Sequence, residues 1–486
     1  MNKVFDSRGK LILGVIILAE LFSIFTFYIP LFNNLAVLLI ALLALILTLY
    51  RLDYGVWLLL VELFIGSKGY LFYFEAQGVQ VSLRIILWLI VMTVWAVSFA
   101  SRWLKTKKFP WPSVKKFPFF WIFGALGFLV VFGLLNGLLR GHDFSNLFFD
   151  FNGWLYFALL LPFYDVFIVS PTRKNNWERL EQIFAIAVFW LSIKTLLLLY
   201  FFTHNVPSIL PDLYRWVRLS GVGEITSAPG GFFRIFFQSH IFLLLASPFL
   251  AWKLRIEKSR SLWALLILCW AGIIISMSRS FWLALLVSLF LMLLTVWKRE
   301  GIKSALVNAI KYIIILALSL ALVLLVAKFP YPSVSGGFNL SLFADRANLT
   351  QSESAISSRW ALLDSLKTEL YKSPILGSGF GALVTYKSSD PRVAETTADN
   401  MYTTYAFEWG WLDLWLKLGI FGLLAYLYLL LAIIKKSWRN NIALALSIIV
   451  LVVVNIFTPY ANHPLGITWI MLMTLMVYNY QLAEKK

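Results

Sequence analysis

Residues 31–49 read LFNNLAVLLIALLALILTL, an unbroken stretch with no charged side chain. A helix rising 1.5 Å per residue needs roughly 17 to 25 mostly apolar residues to cross a hydrocarbon core, so this stretch can span a bilayer by itself. Comparable runs occupy residues 11–29, 54–73, 83–99, 117–138, 148–167, 180–202, 233–252, 262–277, 281–297, 309–328, 411–434, 442–457 and 465–480. None shows the alternation of a membrane barrel, whose strands face lipid and lumen in turn. The reading is an all-α polytopic membrane protein of about fourteen transmembrane helices, about twelve at the least, with one long extracytoplasmic loop containing short helices. No small-residue cleavage site follows the first run, which is read as a retained span.

Composition agrees. The chain is 60% hydrophobic and 14% charged, with a mean hydropathy of +0.80, well outside the balance of a soluble domain. A net charge of +18 would suggest nucleic acid in a soluble protein. Here the basic residues sit in short connections between apolar runs, so no nucleic-acid partner is expected. One cysteine, Cys269, leaves no internal disulfide and no cysteine metal cluster, and four histidines make a zinc site unexpected. No metal and no cofactor are expected.

Short cytoplasmic loops retain Lys and Arg. With the N-terminus inside, every second connection carries a dense basic cluster: 102–116, 173–179, 253–260, 298–311, 435–439 and the tail at Lys485. The topology expected is a multi-pass cell-membrane protein with both termini cytoplasmic. The same alternation puts Ser278-Arg279-Ser280, the turn at Asn462-His463 and the long polar segment 329–410 outside. Four regions follow: N-terminal membrane helices 1–230, central helices 231–328 with the Arg279 turn, the extracytoplasmic loop 329–410, and C-terminal helices 411–486. Within the loop, Ser357-Ser358 before Arg359-Trp360 reads as the cap of an amphipathic helix ending before Pro374.

Any site here faces outward, and the residues that can carry chemistry lie at that boundary. Arg279 is held in a turn too short to be a free loop, and Arg234 opens the apolar run 233–252. Arg359 falls in the first turn of the loop helix, where a positive charge opposes the helix dipole. A guanidinium pairs bidentately with phosphate oxygens and stays charged in apolar surroundings; the alternative for each is an arginine snorkelling to headgroups. Glu408 stands between Phe407 and Trp409. Burial there would fit it for general-base work, whereas a carboxylate before a helix is also an ordinary dipole cap. Asp399 is the rival acid, or an N-cap before Met401. Gly377 and Gly379, in Gly377-Ser378-Gly379-Phe380-Gly381, make either a tight turn or exposed amides for a phosphate. Inside the apolar runs, Glu20, Glu62 and Lys194 must face protein or water, and Glu62 with Lys194 is one possible pair.

The order Ser278-Arg279-Ser280, then Arg359-Trp360 leading into Ser373-Pro374-Ile375-Leu376-Gly377-Ser378-Gly379-Phe380-Gly381, then Gly419-Ile420-Phe421-Gly422, resembles the O-antigen ligase and polymerase superfamily over residues 230–440. In the ligases a His-Asn pair stands eleven residues before the first glycine of the last motif; here that register holds Glu408-Trp409, and the histidine is absent. The resemblance implies a membrane glycosyltransferase that takes a glycan from a polyprenyl-pyrophosphate carrier and transfers or polymerises it onto an acceptor hydroxyl on the outer face, without metal. It implies as partners the lipid-linked donor, a glycan or lipid-linked acceptor, the bilayer and a chain-length regulator protein. In that role Arg234, Arg279 and Arg359 would hold the pyrophosphate, Glu408 would take the acceptor proton, and Trp409, Trp411 and Trp415 would stack on sugar rings. The competing reading is a transporter or flippase of the same lipid-linked glycan, which calls for inverted repeats and broken helices with midplane charges.

Overall fold

The computed structural model describes residues 5–484 apart from 77–78, 112–113, 229–230, 335–353, 390–392, 394–396 and 398. Apolar length becomes helix throughout. Among the described residues, ten helices are long and apolar enough to cross a membrane. The expected runs at 54–73, 233–252, 262–277 and 442–457 appear instead as the shorter helices Leu52–Ile65, Ile241–Ile256, Arg260–Ile275 and Ile442–Val454. On the second helix Leu42, Leu43, Ile46 and Leu49 are more than half exposed. A helix that shows its leucines to the surroundings while burying little has lipid as its solvent. The protein is an all-α polytopic membrane protein with three two-stranded hairpins as its only described sheets.

The chain divides into two compact units. The first, residues 1–110 and 161–347, holds α1 (Ser7–Tyr28), α2 (Pro30–Tyr50), α3 (Leu52–Ile65), the β1–β2 hairpin (Tyr73–Ala76 with Val79–Ser82) and α4 (Leu83–Thr106). Asp6 caps α1 by accepting from the Gly9 amide at 2.8 Å. The second unit begins with α5 (Phe120–Leu139) and α6 (Phe144–Phe151). The helical run continues to Val169 through 3-10 and π turns around α7 (Leu160–Tyr164), within which the boundary between units falls. Back in the first unit follow α8 (Arg173–Thr203), α9 (Leu210–Leu219), the β3–β4 hairpin (Glu224–Ala228 with Phe232–Phe236), α10 (Ile241–Ile256), α11 (Arg260–Ile275), α12 (Arg279–Glu300) and α13 (Ile302–Ala327). The second unit closes with α14 (Ser354–Lys372), the β5–β6 hairpin (Val384–Lys387 with Met401–Thr404), α15 (Gly410–Ser437), α16 (Ile442–Val454) and α17 (Pro464–Glu484).

Charges inside the first unit pair differently from the expectation. Lys194 bonds Glu20 at 2.6 Å, and Glu62 takes a two-point contact from Arg84 at 2.6 and 3.1 Å. The Glu62–Lys194 pair is therefore corrected. A bidentate guanidinium satisfies both oxygens of a buried carboxylate where one ammonium cannot, which is the geometry that burial demands. Two boundaries also shift. The loop helix starts at Ser354, so Arg359 lies in its second turn, and the residues after Asp399 form a strand, with Asp399 Oδ1 accepting from the Met401 amide at 3.1 Å.

Candidate active site

The arginines expected to bind an anion are built by two different local structures. In the first unit, Arg234 is on β4 opposite Thr226, since the helix expected from 233 begins only at Ile241. Its Nε donates to the Ser276 carbonyl at 2.9 Å and its guanidinium lies 4.9 Å from the Phe236 ring centre and 3.7 Å from Glu224. Ser276 opens the turn between α11 and α12. Met277 there adopts φ 47°, Ser276 Oγ caps the Ser278 amide at 3.3 Å, and Ser278 and Ser280 share a hydroxyl bond of 3.1 Å. Arg279 is the first residue of α12 and half-buried. The hairpin thus brings Arg234 to the turn that carries Arg279, 45 positions later in the chain.

In the second unit Arg359 and Glu408 form an ion pair, Nε to Oε2. The Trp409 indole donates to the Arg359 carbonyl at 2.9 Å, and its ring lies 6.0 Å from Trp360. Beneath this pair, Leu362, Leu366 and Leu370 recur at helical spacing on one face of α14 and pack with Val384, Phe407 and Leu416. That core fixes the strip Phe407-Glu408-Trp409 against the helix. Glu408 remains 53% exposed at its side chain, so the burial expected between its aromatic neighbours is not what surrounds it. Asp399 is described only by its turn. Trp411 donates to the Val452 carbonyl at 3.3 Å and Trp415 to the Pro374 carbonyl at 2.8 Å, so both indole N–H groups serve the fold.

The glycine run is a packing device. Gly377 donates to the Ser373 carbonyl, Ser378 to Leu416 at 2.6 Å, Phe380 to Gly133 at 3.1 Å and Gly381 to Asp150 Oδ2 at 2.9 Å. These amides are engaged within the protein. A Cβ on Gly379 would stand 2.3 Å from the Gly137 amide nitrogen, which explains a residue without a side chain where the run crosses α5. Opposite it, α15 breaks at Gly419, whose φ of 70° and ψ of −178° suit glycine alone. Ile420 N there donates to the Pro374 carbonyl at 3.1 Å.

Sequence reasoning missed the most buried charges of the second unit. Lys417 contacts Asp150 and, at 2.5 Å, Asp413; all three side chains are 4–5% exposed. Asn462 donates to Asp413 Oδ2 at 2.5 Å. The signal was available in part: Asp413 and Lys417 stand four apart inside the expected span 411–434, where ionisable residues are expensive. Asp150 sits far away in sequence, within the expected span 148–167. Among the described residues no group of three potential metal ligands of the His, Cys, Asp or Glu type gathers.

Residues 264–427, about a third of the chain, match the O-antigen ligase family model. The segment includes Arg279, Arg359, Glu408 and both glycine elements, and its match supports the likeness to the O-antigen ligase and polymerase superfamily. No curated protein matches the chain.

Proposed function

We propose, on the premise of that O-antigen ligase domain, that the protein transfers or polymerises a glycan from a polyprenyl-pyrophosphate carrier onto an acceptor hydroxyl on the outer face of the cell membrane. The family supports the coarser statement directly: an O-antigen ligase-type, glycosyltransferase-like membrane enzyme of cell-surface polysaccharide synthesis, acting on lipid-linked glycan. The observation that carries the finer reading is the Arg359–Glu408 pair, a half-exposed carboxylate pinned at the entry of a broken helix inside the matched domain.

In the reaction the acceptor oxygen attacks the anomeric carbon, the bond from that carbon to the pyrophosphate breaks, and its electron pair leaves with the carrier. Glu408 takes the hydroxyl proton. Arg234 and Arg279 are assigned to the charge that develops on the leaving pyrophosphate, where preorganised donors act most strongly. Arg359 is assigned as the group that orients Glu408.

The test is glycan transfer in membranes supplied with lipid-linked donor. Glu408→Gln keeps shape but cannot accept the proton, and loss of a positioned base lowers the rate by roughly 10² to 10⁴. Near-normal product from Glu408→Gln refutes the assignment, and if Asp399→Asn then abolishes product, the base is Asp399. Donor crossing the bilayer without any glycosidic bond formed would establish the transporter reading instead.

A further inference from the structure

Resting on that reading, we infer that Lys417, Asp150 and Asp413 form a buried ionic triad whose task is to position Glu408. The half of α15 before the break, residues 410–418, is less than three turns long, too short to hold its own conformation. It is held instead from several sides. Lys417 reaches Asp150 on α6 and Asp413 one turn back on the same half-helix. Asp150 accepts from the Gly381 amide, and Asp413 from Asn462 in the turn before α17, whose Nδ2 also lies 3.3 Å from the Gly410 carbonyl. One ammonium therefore ties together four segments of the second unit.

The other face of the same ammonium looks toward the site. Lys417 Nζ lies 5.4 Å from the ring centre of Phe407, the residue before Glu408. Asp413 N bonds the carbonyl of Trp409, the residue after it. Apolar side chains of equal volume would fill this space at equal or better stability, because burying charges offsets most of their attraction. Ionic contacts differ in being directional. They fix the rotation of the half-helix about its axis, which an apolar contact leaves loose. With side chains ending about 6 Å from a helix axis, a turn of roughly 10° displaces such an end by about 1 Å. A displacement of that size suffices to lower a rate by about 10²-fold.

The experiment is a kinetic cycle on the full-length protein in membranes. The combined variant Asp150→Asn, Asp413→Asn and Lys417→Met removes all three charges together and leaves none buried alone. It is expected to melt close to wild type in detergent, keep its KM for donor and lose about 10- to 100-fold in kcat. Asp413→Asn alone keeps the Lys417–Asp150 contact and is expected to lose kcat to a lesser extent with KM unchanged. It serves as the test should the combined variant not fold. The decisive reading is the addition of Glu408→Gln to the combined variant. A triad that acts through Glu408 adds nothing to the loss seen in Glu408→Gln alone, whereas a merely structural triad multiplies it. Wild-type kcat in the combined variant, or multiplied losses, overturns the proposal. Wild-type kcat in Glu408→Gln by itself overturns the base assignment, a separate result.

Discussion

Replacing Gly419 by alanine tests the broken helix on which the site reading depends. At φ 70° and ψ −178° the backbone lies in a region open essentially to glycine, so a Cβ there introduces roughly 1 to 3 kcal/mol of strain. The new carbon would also stand 2.1 Å from the Ile375 carbonyl oxygen and 2.7 Å from the Leu376 carbonyl carbon, backbone atoms that cannot rotate away. Relief requires the 373–381 segment to separate from α15. That separation breaks the Ile420 N to Pro374 O bond of 3.1 Å and the Ser378 N to Leu416 O bond of 2.6 Å. Each group left unsatisfied away from water costs about 1 to 3 kcal/mol. The total is about 4 kcal/mol or more, equivalent to a melting shift of roughly 10 °C for a unit of this size. Gly124→Ala in α5 is the control, because a Cβ there meets nothing within 4 Å and only raises helix propensity. The assay is thermal melting of detergent-solubilised protein followed by size-exclusion chromatography. If Gly419→Ala melts with the wild type and Gly124→Ala, the contact between the glycine run and the break is not what holds α15.

Lys194→Met strands Glu20 in the interior of the first unit and should destabilise it by about 3 to 5 kcal/mol, with most of the loss restored by adding Glu20→Gln; equal melting of the single and double variants would refute the pairing. Arg279→Lys keeps the charge and loses the planar fork, so donor affinity should fall about tenfold, one charge-assisted hydrogen bond of roughly 1.5 kcal/mol. Wild-type affinity would mark Arg279 as a snorkelling side chain. Lys387→Cys, at an exposed position on β5, should react with an impermeant thiol reagent in intact cells, and labelling only after lysis would reverse the proposed topology.

What the sequence alone determines here is whatever depends on local composition. The stretch at 31–49 is helix-length and uncharged, and it folds as Pro30–Tyr50 with its leucines outward, because membrane insertion responds to apolar length and needs no partner. The Ser-Arg-Ser turn between two spans and the glycine run after Pro374 were legible for the same reason, since turn chemistry is written in adjacent residues. Residues brought together from distant positions were not. Lys417 and Asp150 lie 267 positions apart, and only the tertiary structure, which brings Asp150 on α6 within reach of the Lys417 side chain on α15, makes them partners. Glu20 rather than Glu62 takes Lys194 because Arg84, at the start of α4, already occupies Glu62. Glu408 keeps its exposure although aromatic residues flank it in sequence, because Phe407 turns into the core with Leu362 and Leu416 while the carboxylate turns out to Arg359. A side chain's neighbours in sequence are set by covalent order, but its solvent and its charge partners are set by which faces the tertiary structure closes.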